Sequence, residues 1–323
     1  MKAQHSCLRH IAVLTLVCAT LTLSVVASAQ TVAGVEQPTP AAEWTDLLST
    51  NYEVQANITY RRANNTDLKL DLYLPRERSK VMPVLINIHG GGWVAGAKEG
   101  SILALTPYLQ MGFAVVNVEY RLAANSIAPA AVEDCRCALR WVANNGARYN
   151  FDLNRVVVTG GSAGGHLALT TGLLTPEAGF DRGCTAPDAM RWDKADTTVP
   201  RVAAIVNWFG ITDVADLFSR PNAKGCAIEW FGSLPDRDQL ARRVSPVYLV
   251  QKSSPSVLTV HGDKDTLVPY THAQRLHEAL ARAGVRNELV TIPNGGHGGF
   301  PPDQVRRAMT AVRAFLKANG IVQ

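Results

Sequence analysis

Three short motifs carry residue types suited to nucleophilic chemistry. Gly160-Gly161-Ser162-Ala163-Gly164 is a G-x-S-x-G that directly follows Val156-Val157-Val158-Thr159 and opens a small, apolar, helix-like stretch. A serine at a tight strand-to-helix turn presents its hydroxyl, and flanking glycines remove side chains that would clash. The start of a helix adds positive potential at that point. The competing reading, a Gly/Ser phosphate loop, lacks the lysine such a loop requires. A reacting serine needs a base, and the base needs an orienting carboxylate. His297, in Asn294-Gly295-Gly296-His297-Gly298-Gly299, follows the last strand-like run in a bare glycine loop, a setting no packed core favours for an imidazole. His261-Gly262-Asp263-Lys264-Asp265 follows the run before it. Asp265, deeper in that loop, is the candidate acid, and Asp263 reads as a turn residue holding local N–H groups. Asp213, after Trp208-Phe209-Gly210, is a third candidate that reads better as a cap or turn carboxylate.

A fourth motif, His89-Gly90-Gly91-Gly92-Trp93, follows the run Val84–Ile88. Acyl transfer builds negative charge on a former carbonyl oxygen, and losing one fixed donor there costs ~3 kcal/mol. The N–H groups of Gly91, Gly92 and Ala163 are the expected donors of an oxyanion hole. His89 reads as structural, holding the loop through its imidazole. Trp93, Trp208, Phe209 and Phe300, with Trp230 and Phe231, are candidate walls for acyl and alcohol pockets. Core packing is the alternative for all of them, and Trp93, beside the glycines, is the one favoured for the pocket. His166, four residues past Ser162, is expected to pack against neighbouring loops. His272 and His277 are expected on an exposed helix face. They are five apart, which misses the i,i+4 face of a helical zinc site, and no Cys/His spacing suggests a metal. No cofactor is implied.

These groups need a frame. Val54–Tyr60 and Leu68–Leu74 alternate around Asn64-Asn65, which reads as a hairpin. Five short apolar runs follow, Val84–Ile88, Phe113–Val118, Val156–Val158, Val202–Val206 and Val257–Val260, and a mixed run, Glu288–Ile292, closes the series. Such runs suit parallel strands covered on both faces. Helix-like stretches lie between them at 130–145, 162–174, 272–283 and 303–318, the last two amphipathic. The alternation predicts one α/β domain over 51–323, a doubly wound, mostly parallel sheet opened by an antiparallel hairpin. The irregular stretches 175–200 and 211–255 are expected to cross the top of the sheet.

Ahead of that domain, Lys2 and Arg9, the apolar run Ile11–Val26 and Ala27-Ser28-Ala29 form the pattern of a secretory signal peptide over 1–29. An uncleaved membrane anchor is the alternative, but a sixteen-residue run is short for a span. Residues 30–50 read as a loosely held leader. The full chain of 323 residues has 32 Lys and Arg against 27 Asp and Glu, a net charge of +5. Cleavage after Ala29 removes Lys2 and Arg9 and leaves +3 over 294 residues, with no concentrated basic patch to bind nucleic acid. Export, periplasmic or extracellular, permits disulfides among Cys135, Cys137, Cys184 and Cys226. Cys135 and Cys137 lie two apart on a helix and point to different sides. Cys184 and Cys226, in loop-like segments either side of one strand, are the expected pair if any forms; four unpaired thiols are the alternative.

The chain order Ser162, Asp265, His297 is that of α/β-hydrolases. Leu70-Asp71-Leu72-Tyr73-Leu74-Pro75, the loop 89–93, Glu119-Tyr120-Arg121-Leu122, Gly161-Ser162-Ala163-Gly164-Gly165-His166-Leu167, the stretch 261–269 and Gly296-His297-Gly298 together extend the likeness over about 52–316. The chain resembles the hormone-sensitive-lipase-like carboxylesterases of that superfamily. Within them it is most similar to the secreted bacterial branch related to bifunctional acetylxylan/feruloyl esterase domains. The resemblance implies the α/β-hydrolase fold with an eight-stranded sheet and helices on both faces. It also implies Ser162 as nucleophile, Asp265 as orienting acid and His297 as general base. Gly161 stands where hormone-sensitive-lipase relatives carry Asp, and the short leader leaves little room for their N-terminal cap helices, so long-chain lipase activity is not implied.

The expectation is two-step serine ester hydrolysis on small-molecule or plant-polysaccharide-type esters, declining below pH ~6.5 as the base protonates. An amidase or peptidase would use the same residues, and a non-catalytic binding protein of the same fold is a third reading. No nucleic-acid partner and no membrane span after cleavage are expected, and the oligomeric state is left open.

Overall fold

The two asparagines between the first alternating runs, Asn64 and Asn65, both adopt positive φ, 49° and 57°. That is the conformation of a tight hairpin turn, and asparagine tolerates it better than most residues. The turn joins β1 (Tyr52–Ala63) to β2 (Thr66–Pro75) in antiparallel register, with Arg62 opposite Asp67. The computed structural model describes residues 39–184 and 201–323. The expected signal peptide and residues 30–38 of the leader lie outside the described residues.

Six further strands follow: β3 (Met82–Ile88), β4 (Ala114–Val118), β5 (Phe151–Gly161), β6 (Val202–Trp208), β7 (Ser256–Gly262) and β8 (Asn287–Ile292). They form one eight-stranded sheet in the order β1-β2-β4-β3-β5-β6-β7-β8. β2 runs antiparallel to both its neighbours, and β4 through β8 are parallel. The strand order reverses beside β3, so the carboxyl ends of β3 and β5 open onto the crevice where open α/β sheets bind ligands.

The helices are α1 (Pro40–Asn51), α2 (Ile102–Gln110), α3 (Ala130–Tyr149), α4 (Ala163–Leu173), α5 (Gly225–Phe231), α6 (Arg237–Arg243), α7 (Thr271–Arg282) and α8 (Pro302–Ala318). Alternate residues of each strand serve opposite faces. Val84, Ile86 and Ile88 of β3 pack with Val132, Leu139 and Leu167 of α3 and α4, whereas Leu85 packs with Leu105 of α2 and Val312 and Phe315 of α8. Continuous apolar runs in the sequence are therefore a consequence of having a core on each side of the sheet.

Three expectations are corrected, and one helix is added. Residues 40–50 of the leader belong to α1, whose N-cap Thr39 Oγ1 accepts from the Ala42 N–H at 3.2 Å; Leu48 then packs on the α2/α8 face. Residues 102–110, unassigned from the sequence, form α2 with Pro107 inside it. His272 and His277 are buried, because His272, Leu276 and Leu280 recur every four residues and form the inward stripe of α7. Lastly, the disulfide joins Cys137 to Cys184, with Cα atoms 5.0 Å apart, while Cys135 and Cys226 remain thiols. Arg136 explains this pairing. Its guanidinium donates to the Thr171 and Leu174 carbonyls at 2.9 Å and to Asp181 at 3.0 Å, drawing the segment after α4 onto α3.

Candidate active site

Five strand ends, those of β3, β5, β6, β7 and β8, converge on one cavity. At the end of β5, Ser162 has φ 57° and ψ −123°, outside the ordinary regions for an L-residue. Such a backbone persists only where its surroundings enforce it. Here the enforcement is a close approach. A Cβ on Gly164 would lie 2.2 Å from the Ile88 carbonyl oxygen, so α4 can start this near β3 only with glycine there. The Ser162 N–H donates to the Trp208 carbonyl at 2.9 Å, fixing the turn from the other side.

The Ser162 Oγ lies 2.8 Å from His297 Nε2, and His297 Nδ1 lies 2.7 Å from Asp265 Oδ2. The second oxygen of Asp265 accepts the N–H groups of Leu267 at 2.8 Å and Val268 at 2.9 Å. Burial alone would raise the Asp265 pKa. Hydrogen bonding from His261, His297 and the Val268 N–H outweighs it and holds the carboxyl well below the usual carboxylate range. An ionised Asp265 places the His297 proton on Nδ1 and leaves the Nε2 lone pair facing the serine hydroxyl. The loops carrying Asp265 and His297 are tied directly: Asp263 Oδ1 accepts the Asn294 N–H at 2.7 Å, and Lys264 N–H donates to the Gly295 carbonyl at 2.9 Å. Asp263 is thus the turn residue expected, except that it serves the neighbouring loop. Asp213 stands apart, accepting from Arg275 at 2.6 Å and Tyr248 at 3.1 Å.

The glycine loop after β3 folds over the serine. Gly90 packs so closely that a Cβ on it would come within 2.8 Å of the Gly161 oxygen and 3.6 Å of Ser162 Cβ. Gly91 has φ 121°, and its carbonyl accepts the Val94 and Ala95 N–H groups, while its own N–H and that of Gly92 have no acceptor among the described residues. Ala163, in the first turn of α4, likewise has an N–H without an intrahelical acceptor. His89 is structural, as expected. Its Nδ1–H donates to the Gly90 carbonyl at 2.8 Å, and its ring stacks on Tyr120 at 4.2 Å. Tyr120 OH donates back to the His89 carbonyl at 3.1 Å, and Glu119 accepts the Lys98 N–H at 3.0 Å. Glu119 and Tyr120 therefore brace the glycine loop from behind. Residue chemistry alone gives no reason to select them.

The cavity measures about 810 Å³. Trp208 and Phe209 line it, and the Phe209 ring meets His297 edge-on at 4.9 Å. Trp93 lines it too, as favoured, whereas Phe300 departs from expectation. The Trp93 indole is fully buried, stacked on Trp230 at 4.4 Å, with its N–H donating to His166 Nδ1 at 3.2 Å. It supports the floor, because φ 62° at Trp93 turns the side chain under the loop. Phe300 packs edge-on against Phe209 at 5.7 Å and is not part of the lining. Walls missed from the sequence are Leu103 and Pro107 of α2, Val305 and Met309 of α8, and Leu267. Their signal is faint, since apolar residues on amphipathic helices ordinarily read as core.

A family model described as BD-FAE matches residues 70–280. The chain belongs to the BD-FAE family. Esterase LipQ of Mycobacterium tuberculosis is 28% identical over 234 residues, covering 71% of this chain and 53% of LipQ. The chain spans about half the length of the curated relatives it matches. Among solved structures, a truncated carbohydrate esterase from gut microbiota superposes with a TM-score of 0.68 at 28% identity, covering 83% of this chain and 97% of that one. The native esterase Est2 of Thermogutta terrifontis gives 0.67 at 25% identity, covering 84% and 94%. This BD-FAE chain is accordingly an α/β-hydrolase of the hormone-sensitive-lipase-like type, and its Ser162, Asp265 and His297 meet at the cavity the fold provides.

Proposed function

We propose that this chain is an exported serine carboxylic-ester hydrolase that works through an acyl-enzyme. The observation that carries the proposal is the unbroken Asp265–His297–Ser162 relay at the cavity, with both links under 3 Å. Ser162 attacks the ester carbonyl as His297 Nε2 takes its proton. The N–H groups of Gly91, Gly92 and Ala163 hold the oxyanion, and His297 returns the proton to the departing alcohol. Water then cleaves the acyl-enzyme by the same base. Asp265 stays ionised throughout and stabilises the imidazolium.

The walls formed by Leu103, Pro107, Val305 and Met309 favour an ester with an apolar acyl or aryl group. His89, Lys224 and His297 are the basic side chains along this lining, and among the described residues no carboxylate joins them. The kinship with a carbohydrate esterase supports sugar-borne esters, with the sugar lying outside the apolar part. The Cys137–Cys184 bond supports export, because disulfides persist in oxidising compartments.

The test is a ladder of p-nitrophenyl esters of increasing acyl length, plus methyl ferulate, run with wild type and Ser162→Ala. Wild type is expected to turn over the ladder and to be labelled at Ser162 by a fluorophosphonate. Ser162→Ala should lose at least ~10⁴-fold in kcat with its melting temperature kept. A variant that still hydrolyses at the wild-type rate would refute the mechanism.

A further inference from the structure

His261, the penultimate residue of β7, is a buried titratable group beside the relay for which the proposed reaction has no task. Its Nε2 lies 2.9 Å from the Val268 carbonyl oxygen and 3.2 Å from Asp265 Oδ2. Its Nδ1 is buried and has no partner among the described residues. A proton on Nδ1 would be orphaned, whereas one on Nε2 faces two acceptors, so the Nε2–H tautomer is the one this pocket holds. Asp265 Oδ2 is thereby flanked by two imidazoles, His297 at 2.7 Å and His261 at 3.2 Å.

We propose that His261 is a positioning residue for the reaction, its Nε2–H clamping the loop at Val268 and drawing negative charge away from the Asp265 oxygen that faces His297. The proposal rests on the serine-hydrolase reading above. It has a signed consequence. With the His261 donor removed, the charge on Oδ2 bears more fully on His297 Nδ1–H. That stabilises the imidazolium, so the base protonates at higher pH. The carboxylate also loses one of its fixing contacts, which lowers kcat. KM is spared, because His261 is not part of the cavity lining.

Other titratable groups surround the pair and stay constant across the variants. Tyr270 meets the His261 ring edge-on at 5.7 Å, with its hydroxyl paired to Thr291. Asp263 binds the Asn294 N–H, Lys264 is exposed on the same turn, and Lys224 Nζ donates to the Thr266 carbonyl at 2.9 Å. A difference between variants therefore reports on His261 itself.

The experiment compares wild type, His261→Leu and His261→Gln, with kcat and KM measured on one p-nitrophenyl ester from about pH 5 to 9. His261→Leu is expected to lose about tenfold in kcat at near-constant KM. The acid limb of its kcat/KM profile should move up by about half a pH unit or more. His261→Gln restores an N–H donor and should bring back both the rate and the limb. Where the leucine variant fails to fold, His261→Asn, polar but too short to reach Oδ2, should show the same upward shift. An acid limb that stays in place in a folded His261→Leu or His261→Asn chain overturns the clamp, as does a glutamine variant that fails to recover. A wild-type chain without Ser162-dependent turnover removes the serine-hydrolase reading and the clamp together. A hydrolysing wild type with unmoved variants removes the clamp alone.

Discussion

Two regions of the molecule contain a histidine bonded to an aspartate, and they behave as opposites. At the cavity, His297 donates from Nδ1 to Asp265 at 2.7 Å and turns Nε2 to the Ser162 hydroxyl at 2.8 Å. Beneath the loop after β6, His272 donates from Nε2 to Asp216 at 3.1 Å, and its Nδ1 accepts backbone N–H groups of Thr212 at 3.1 Å and Asp213 at 3.4 Å. Each ring has one nitrogen facing a carboxylate and the other accepting a hydrogen bond. What differs is the donor. A hydroxyl can give up its proton when its oxygen bonds to carbon, whereas a backbone amide donor only fixes the loop in place. His272 is also fully buried, and burial lowers its pKa in spite of Asp216. A His–Asp pair becomes a relay through its third partner and its access to a cavity.

The same substitution in both pairs makes the largest break. Asp265→Asn should leave the fold intact but favour the wrong tautomer of His297, since an amide can donate where the carboxylate accepted. The expected loss is ~10⁴-fold in kcat, as for the equivalent change in a serine protease triad. Asp216→Asn keeps an oxygen for the His272 N–H, and Asp216 is partly exposed. Its turnover should equal wild type, with a stability change of at most ~1 kcal/mol. Steady-state kinetics and thermal melts of the two variants decide the matter. Comparable losses of activity in both would mean that the two pairs do not differ as described.

A third histidine sharpens the contrast through pH. His166 follows Ser162 by one helical turn, yet it is sealed under the site, accepting from Trp93 and donating from Nε2 to the Val244 carbonyl at 2.7 Å. Burial pushes its pKa down to about 4 from an ordinary 6.5. Between those values the unfolded chain binds a proton that the native chain refuses. Its contribution to stability is full above pH ~6.5 and is lost as pH falls towards 4, by about 3 kcal/mol in all. His166→Gln keeps a donor and an acceptor but does not titrate. Its urea midpoint should fall less between pH 7 and 4.5 than that of wild type. Parallel curves for the two chains would show that His166 is not the group responsible.

Legibility in the sequence followed the physics of each feature. All eight strands were readable, because a two-faced sheet demands uninterrupted apolar runs and β3 through β7 have them. The grouping of Ser162, Asp265 and His297 was readable for the opposite reason, since Ser162 and His297 sit among glycines, where packing cannot explain them. Features made by contacts between distant segments were hidden. The Cys137–Cys184 bond depends on Arg136 holding the segment after α4 against α3, and nothing local to either cysteine announces it. Trp93 was legible as a cavity residue from its place beside the glycines, but the φ of 62° that lays its indole under the loop was not. His261 was visible in the acid motif, but its meaning lies in two distances that no spacing encodes.

The smallest effect concerns His277, the histidine with the least to do. Its Nδ1–H donates to Asn287 Oδ1 at 2.9 Å, its Nε2 is buried without a partner among the described residues, and burial again lowers its pKa. Replacing it with leucine removes an unsatisfied nitrogen and leaves the half-buried Asn287 to find water. The two changes oppose each other, so stability at pH 7 should move by less than ~1 kcal/mol. Below pH 6.5 the variant should lose slightly less stability than wild type, because one group that refuses a proton on folding is gone. Ester turnover should be unaffected. A large loss of turnover in a folded His277→Leu chain would contradict a division between His297, proposed to exchange protons with a substrate, and the other histidines, which hold the scaffold around it.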